Sequence, residues 1–164
     1  MASAGPACIL RATSSSYGTT RVQNGFDADG TGTVTTICIY DDIDATGVQC
    51  GSFSVVTNDC TCRGADESMG DANSEPEYYD SPGDFTAFSI ETGDKAGYYF
   101  AGGGIKKDNS GLGGYWYTNS DVVHPTSSAT FSYGANVGNS ILFTITESGG
   151  GLSIPVAMHH YMHQ

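Results

Sequence analysis

The fold class of this chain is decided by the stretch GDKAGYYFAGGGIKKDNSGLGGYWYT, residues 93–118. Two aromatic runs, residues 98–100 and 115–117, lie between clusters of glycine, aspartate, asparagine and serine. Aromatic residues favour strands, and glycine supplies the positive φ angles that tight turns require. No helical spacing of apolar residues crosses the stretch. It therefore predicts short antiparallel strands joined by tight turns.

Similar short segments, bounded by turn residues, recur along the whole chain. They predict strands near residues 8–11, 19–23, 33–40, 52–57, 85–90, 97–101, 105–107, 114–118, 129–133 and 141–146. The chain shows no helix of two turns, no heptad pattern and no internal repeat. We therefore predict a single all-β domain over residues 1–164, an antiparallel two-sheet β-sandwich of jelly-roll type.

Period-two alternation identifies the expected core positions. In the last two predicted strands, apolar side chains alternate with mostly polar ones, and residues 33–40 are rich in β-branched side chains. We expect the core to contain Ile37, Ile39, Phe131, Phe143 and Ile145.

The charge balance excludes several classes of partner. The chain has 18 acidic and six Lys or Arg residues, for a net charge of −12. Such a surface repels phosphate backbones and anionic lipids, so we expect neither nucleic acid nor membrane as a partner. The first residues lack a basic segment followed by an apolar one, and no apolar run is long enough for a membrane span. We expect a protein made and used without Sec export; the alternative is that a signal has been trimmed.

Acidic residues gather between residues 64 and 84, where no Lys or Arg follows Gly64. Pro76 and Pro82 interrupt any regular element there, so the segment is predicted to be a long, solvated acidic loop. An interface with a basic patch is the alternative.

All five cysteines fall within the first 62 residues. An odd number without an export signal weakens a complete disulfide framework, so we expect mostly reduced, buried thiols. Cys38, flanked by Ile37 and Ile39, is the clearest core candidate.

Two segments contain candidate metal ligands. Asp27 and Asp29 resemble the start of a calcium loop, but Cys38 occupies the position where an EF-hand needs a bidentate glutamate. A hairpin turn is the favoured interpretation, and calcium is the only cofactor that the sequence suggests. In the histidine-rich tail, residues 156–164, His159 and His163 share one face if the tail is extended, so they could bind a metal. A frayed terminus without a ligand role is favoured.

The aromatic runs supply the candidate ligand-binding residues. Aromatic faces suit the C–H surfaces of sugars, and the candidates are Tyr98, Tyr99, Tyr115, Trp116 and Tyr117. Because side chains alternate along a strand, about half of them should point into the core, with Trp116 facing opposite to Tyr115 and Tyr117. The chain has no Gly-x-Ser-x-Gly elbow, and nothing local marks His124 as a base. An enzyme is therefore the weakest hypothesis.

Several of these segments also resemble a β-sandwich module that is common among uncharacterised phage and metagenomic proteins. The resemblance rests on Gly93-Asp94-x-x-Gly97-x-Tyr99-Phe100, Gly103, Ile105, Asp108-x-Ser110-Gly111 and Gly114-x-Trp116-Tyr117, with Arg11-Ala12-Thr13-Ser14 and Gly32-x-Val34-x-x-Ile37-x-Ile39-Tyr40. It covers most of residues 9–146. It implies a jelly-roll-like sandwich in a structural or attachment setting, and it carries over no functional residue.

Two functions from different classes fit these observations. The first is a non-enzymatic virion structural protein of a bacteriophage, such as a capsid decoration protein or a small fibre or tail module. It would be assembled in the host cytoplasm and would associate with itself or with a major capsid or fibre protein. The alternative is an extracellular carbohydrate-binding module or lectin-like attachment domain that binds glycans through its exposed aromatic residues.

Overall fold

The computed structural model describes residues 1–73, 75–109 and 111–148. None of these residues is helical, and their regular structure consists of fifteen strands. In chain order the strands are β1 (Ala2–Ala4), β2 (Thr13–Ser14), β3 (Thr20–Gln23), β4 (Gly32–Ile39), β5 (Asp41–Val56), β6 (Asp59–Ala72), β7 (Glu77–Asp80), β8 (Phe88–Ile90), β9 (Lys95–Tyr99), β10 (Gly102–Asp108), β11 (Tyr115–Thr118), β12 (Ser128–Thr130), β13 (Ser132–Gly134), β14 (Gly138–Asn139) and β15 (Ile141–Glu147).

The smaller sheet contains five strands in the order β1-β15-β4-β7, and β8 pairs with β4 beside β7. Phe143 of β15 lies opposite Ile37 of β4, and all four side chains of this pair and its neighbour Ile145–Val34 are buried. The period-two pattern thus faces inward, as the sequence predicts. The five predicted core residues are each at most 3% exposed: Ile37, Ile39, Phe131, Phe143 and Ile145.

The larger sheet contains ten strands, and its main path runs β12-β6-β5-β9-β3-β11-β13. β10 continues from β9 along β5, while β2 and β14 pair with β10. The main core lies between the two sheets, with side chains from β1, β4 and β15 on one side and from β5, β6, β9 and β10 on the other. The prediction of an all-β, antiparallel, two-sheet fold is confirmed. The jelly-roll connectivity stays a prediction.

The larger sheet closes on itself around a second core. β12 and β13 are separated only by Phe131, yet β12 pairs with β6 at one end of the path and β13 pairs with β11 at the other. Inside this closed part, the rings of Phe53 and Phe131 meet edge to face at a centroid distance of 6.5 Å. The buried residues of the second core are Val22, Phe53, Cys60, Cys62, Val123 and Phe131.

The prediction of an acidic loop over residues 64–84 is wrong for much of the segment. β6 continues to Ala72 in antiparallel pairing with β5, and β7 forms the edge of the smaller sheet. Along β6, Cys60, Cys62, Gly64 and Asp66 are buried in alternation. These inward positions carry small or polar side chains, so the alternation is invisible to a hydrophobicity pattern. Pairing with β5 determines the strand instead.

The N-terminal region also differs from its prediction. Residues 8–11 form no strand, whereas β1 pairs with β15 through Ala2 and Ala4. Cys38 is buried, as expected, but it forms a disulfide with Cys8, so the expectation of a reduced thiol at Cys38 is wrong.

The other three cysteines, Cys50, Cys60 and Cys62, are free and buried, as expected of most cysteines in the chain.

Some predicted features lie outside the described residues. They are His159, His163 and the rest of the tail over residues 156–164, together with Ser110 of the family-like pattern. Within the described ranges, no helix is long and apolar enough to cross a membrane.

Gly97 provides a test of the second core. A Cβ atom at Gly97 would lie 2.5 Å from two carbons of the Phe53 ring. We expect Gly97→Ala to lower the free energy of unfolding by about 1–3 kcal/mol, the usual cost of overpacking a core. Urea unfolding followed by fluorescence measures the change. Gly83→Ala is the control, because a Cβ there meets its nearest atom at 3.5 Å. Equal unfolding midpoints for the two variants would contradict this account of the second core.

Candidate functional site

β11 holds three of the five candidate aromatic residues, and all of them are half-buried. Its antiparallel register with β3 sets Tyr115 opposite Gln23, Trp116 opposite Val22 and Tyr117 opposite Arg21. Trp116 therefore shares the face of Val22, which belongs to the second core, while Tyr115 and Tyr117 lie on the other face. The two tyrosine rings are in contact, with centroids 5.4 Å apart. This tyrosine pair, Tyr115 and Tyr117, is the part of the aromatic set best suited to bind a ligand.

Trp116 is held by contacts within the domain. Its Nε1 donates a 3.1 Å hydrogen bond to the carbonyl oxygen of Thr57, which lies in the turn between β5 and β6. Its ring lies 5.4 Å from that of Tyr133, and the ammonium group of Lys95 lies 5.8 Å from its centroid. These contacts hold the turn between β5 and β6 against β11, so the role of Trp116 is mainly structural.

The two candidates on β9 face opposite sides of the sheet. Tyr98 is fully buried in the main core, where its ring stacks on Phe100 at 5.7 Å. Tyr99 is half-buried and packs against the second core. Tyr98 therefore belongs to the core and offers no exposed ring to a sugar.

Arg21 lies beside the tyrosine pair and is 5% exposed. Its guanidinium carbon lies 5.3 Å from the centroid of the Tyr115 ring, and Nη2 donates to Ser16 Oγ at 3.0 Å. Nε and Nη1 are buried without a hydrogen-bond partner. Burial raises the pKa of the neighbouring Tyr98 to about 12, although the positive charge of Arg21 acts against this shift.

Lys107 on β10 adds a second positive charge to this region. Its pKa is lowered, first by burial and then by the charge of Arg21. Sequence reasoning missed both residues. Within TRVQ, Arg21 looks like an exposed strand position, and Lys107 is 86 residues away along the chain (107 minus 21). The only local signal is a basic side chain next to an apolar strand residue, which is common on surfaces.

The aspartates of the family-like pattern support the scaffold. Asp94 is 3% exposed and accepts hydrogen bonds from Arg63 Nε at 2.6 Å and from the backbone N–H of Glu91 at 3.0 Å. Asp108 accepts from Arg11 Nη1 at 2.9 Å and from the backbone N–H of Ala12 at 3.2 Å. Both carboxylates therefore fix turns and strand ends.

Asp27 and Asp29 are exposed and have different partners. Asp27 forms an ion pair with Lys95 at 2.6 Å, and Asp29 accepts a hydrogen bond from the backbone N–H of Ser3 at 2.5 Å. Over residues 1–73, 75–109 and 111–148, no group of three or more His, Cys, Asp or Glu residues is arranged to hold a metal ion. The turn that joins β3 to β4 is thus tied to both the N-terminal strand and β9.

His124 lies between two carboxylates. Its Nδ1 is 2.9 Å from Glu67 Oε2, and its Nε2 is 3.7 Å from Asp121 Oδ1. Asp121 also accepts hydrogen bonds from Gln49 Nε2 and from the backbone N–H of Val123. Among the described residues, no serine hydroxyl or cysteine thiol donates to the imidazole, so the arrangement lacks the nucleophile of a catalytic triad.

The fold and this surface define the class of the protein as an antiparallel all-β domain with a tyrosine pair beside the buried Arg21. Comparisons of the chain with family models, with curated proteins and with solved structures found no match. The function is therefore argued from the residues themselves.

The Arg11–Asp108 pair predicts how stability depends on pH. The pKa of Asp108 is lowered by the hydrogen bonds from Ala12 and Arg11, so its contribution is present above the unfolded value near 3.8 and is lost as the pH falls below it. We expect Asp108→Asn to cost about 1.5–3 kcal/mol at pH 7, because Arg11 loses a charged partner. At pH 2.5 the free energies of unfolding of the wild type and the variant should differ less than they do at pH 7. Urea unfolding at both values tests this.

Glu147→Gln is the control for this prediction, because Glu147 is exposed and its carboxylate forms no hydrogen bond or ion pair within the described part of the chain. A difference between wild type and Asp108→Asn that is equally large at both pH values would contradict the assignment.

The free cysteines predict a labelling pattern. Burial raises the pKa of Cys60 and of Cys62 to about 12 and also raises that of Cys50, so none forms a thiolate readily at pH 8. Iodoacetamide should leave the native protein unmodified, add three groups after unfolding and add five after unfolding with reduction. Intact-mass spectrometry counts them. Rapid labelling of the native protein would show that these thiols are accessible.

Proposed function

We propose that this chain is a non-enzymatic structural protein of a virion, either a capsid decoration protein or a small fibre or tail module. The proposal rests mainly on the use of the buried carboxylates. The three that are buried among the described residues, Asp41, Asp66 and Asp94, each accept a backbone N–H. They hold strands and turns in place: burial raises the pKa of Asp41, but its Oδ1 accepts the backbone N–H of Ala45. The three buried thiols favour the protonated form, because burial raises the pKa of each one.

Rigidity and edge protection also support a structural role. Two separate cores stabilise the domain, and the segment around Phe131 links the two ends of the main path of the larger sheet. At the edge of the smaller sheet, β7 is four residues long and lies between Pro76 and Pro82. Short strands and prolines at an edge limit uncontrolled strand addition, which suits a protein that is packed at high local concentration.

Self-association, or attachment to a major capsid or fibre protein, is the partner that we propose. Exposed apolar side chains occur at Leu10, Tyr17, Ile43 and Tyr78, each at least 59% exposed. The Cys8–Cys38 disulfide is typical of a protein that meets an oxidising environment, as virion surfaces do. An extracellular location is compatible with the same bond.

The presence of the protein in particles is the direct test. Particles from the culture that carries the gene are purified on a density gradient and labelled with an antibody raised against the recombinant chain. We expect regularly spaced label on the particles, and a solution mass that is a multiple of 17.1 kDa by light scattering. Preimmune serum is the control. A monomer that is found only in fractions without particles would contradict the proposal.

A carbohydrate-binding or lectin-like module is the second candidate, and the tyrosine pair favours it. Tyr115 and Tyr117 are half-exposed, in contact and adjacent to Arg21, which is a suitable arrangement for stacking a sugar ring. On a glycan array, we expect Tyr115→Ala and Tyr117→Ala to weaken binding about tenfold, since aromatic contacts contribute on the order of 1 kcal/mol each.

Tyr78→Ala is the matched control for the glycan array, because Tyr78 is exposed on the other sheet. Equal losses for all three variants would exclude the tyrosine pair as the binding surface. Turnover of a polysaccharide that is lost on changing one carboxylate would overturn both non-enzymatic candidates.

A further inference from the structure

Two of the six Lys and Arg side chains differ from the rest in having no acidic partner among the described residues. The others form ion pairs: Arg11–Asp108, Arg63 with Asp94 and Glu91, Lys95–Asp27 and Lys106–Asp42. Within residues 1–73, 75–109 and 111–148, no carboxylate lies within ion-pair distance of Arg21 or Lys107. In a chain with 18 acidic residues, this exception concerns two cations in the same part of the larger sheet. Lys107 lies opposite Asn139, whose backbone N–H donates to Gln23 Oε1, two residues along β3 from Arg21.

The hydrogen-bonding capacity of Arg21 is largely unused. Nη2 reaches Ser16 Oγ, but the N–H donors of Nε and Nη1 are buried and have no partner. The Tyr115 ring covers the flat face of the guanidinium group and leaves its in-plane donors unsatisfied. Because a guanidinium group does not lose its proton in proteins, Arg21 remains a buried charge with free donors.

The groups around Arg21 add to this deficit. Burial raises the pKa of Tyr98, the cross-strand neighbour of Arg21, and its buried hydroxyl lies close enough to the guanidinium group for Arg21 to oppose this rise, yet no hydrogen bond of normal geometry joins them within the described residues. Lys107 brings a second positive charge, and the two cations repel each other. Two partly desolvated like charges are unfavourable unless an anion compensates them.

We propose that Arg21 and Lys107 form a binding site for one oxyanion, a carboxylate or a sulfate group, which comes either as a free ion or as part of an acidic sugar. Arg21 donates N–H bonds to the anion, and Lys107 contributes a second charge. Ser16 is exposed, so the tip of the guanidinium group lies directly beneath the surface at that residue. The tyrosine pair borders the same position, where the ring of a sugar would lie. The site does not depend on the proposed virion role.

Anion binding can be measured on the intact protein with sodium sulfate, and with sodium chloride at equal ionic strength as the reference. We expect saturable heats of sulfate binding by isothermal titration calorimetry, together with a rise in Tm that follows the same saturation. Since sulfate also raises Tm without specific binding, the calorimetric saturation is the deciding measurement. Indistinguishable heats for sulfate and chloride would overturn the proposal unless glucuronate, tested in the same way, binds saturably.

Neighbouring lysines provide a matched pair of variants. Lys107→Gln should weaken anion binding about tenfold, whereas Lys106→Gln removes the same charge on the opposite face of β10, where Lys106 pairs with Asp42, and should leave binding unchanged. An equal loss of anion binding in the two variants would show that binding depends on net charge alone, and it would contradict a specific site at Lys107. Arg21→Met should abolish binding. If that variant does not fold, the comparison of Lys107→Gln with Lys106→Gln still tests the proposal.

The two sources of the anion are separated by glucuronate, with glucose as the uncharged control. Glucuronate binding that is tighter than sulfate binding, and that is weakened by Tyr115→Ala, identifies an acidic sugar. Sulfate binding without glucuronate binding identifies a free inorganic anion. Binding of glucose as tight as that of glucuronate would contradict an anion site.

Discussion

Phe131 provides the constraint on which the larger sheet depends. It lies between β12 and β13, so one short segment of chain pairs with β6 on one side and with β11 on the other. Its ring packs against Phe53 inside the closed sheet, and the missing side chain of Gly97 leaves room for Phe53. The closure also sets where β11 lies, and hence which face presents Tyr115 and Tyr117. The closure at Phe131 therefore determines both the scaffold and the position of the candidate surface.

Charge is distributed unevenly between the scaffold and the surface. Most basic side chains join segments that are far apart in sequence, as Arg11 and Asp108 do across 97 residues. The acidic residues in excess of these pairs account for the net charge of −12, and among the described residues most of them lie at the surface, Asp41 and Asp66 being the buried exceptions. Against this background Arg21 and Lys107, which have no acidic partner in the described part of the chain, form a positive region inside an acidic protein. The anion site that we propose there would act locally, even though the whole molecule repels anions.

The sequence predicts the fold where hydrophobic alternation carries the information, and fails where small or polar residues fill the inward positions. Phe143 and Ile145 were placed correctly because branched and aromatic side chains alternate with threonine. β6 was missed because Cys62 and Gly64 occupy its buried face and acidic residues follow. The site was partly predictable, because the alternation of side chains along a strand places Trp116 on the opposite face from Tyr115 and Tyr117. The burial of Arg21 was not predictable, since it depends on segments that are close only in the folded chain.

The Cys8–Cys38 disulfide changes how the domain would transmit force. It joins the segment after β1 to β4, in the interior of the smaller sheet, and closes a loop with a sequence separation of 30 residues that includes β3 of the larger sheet. Tension applied at the N-terminus would peel β1 from β15 and then pass through the sulfur bridge directly to β4. The part of the loop between Cys8 and the start of β4, residues 9–31, would carry no load. A protein fastened by its N-terminus would therefore keep β3 mechanically shielded.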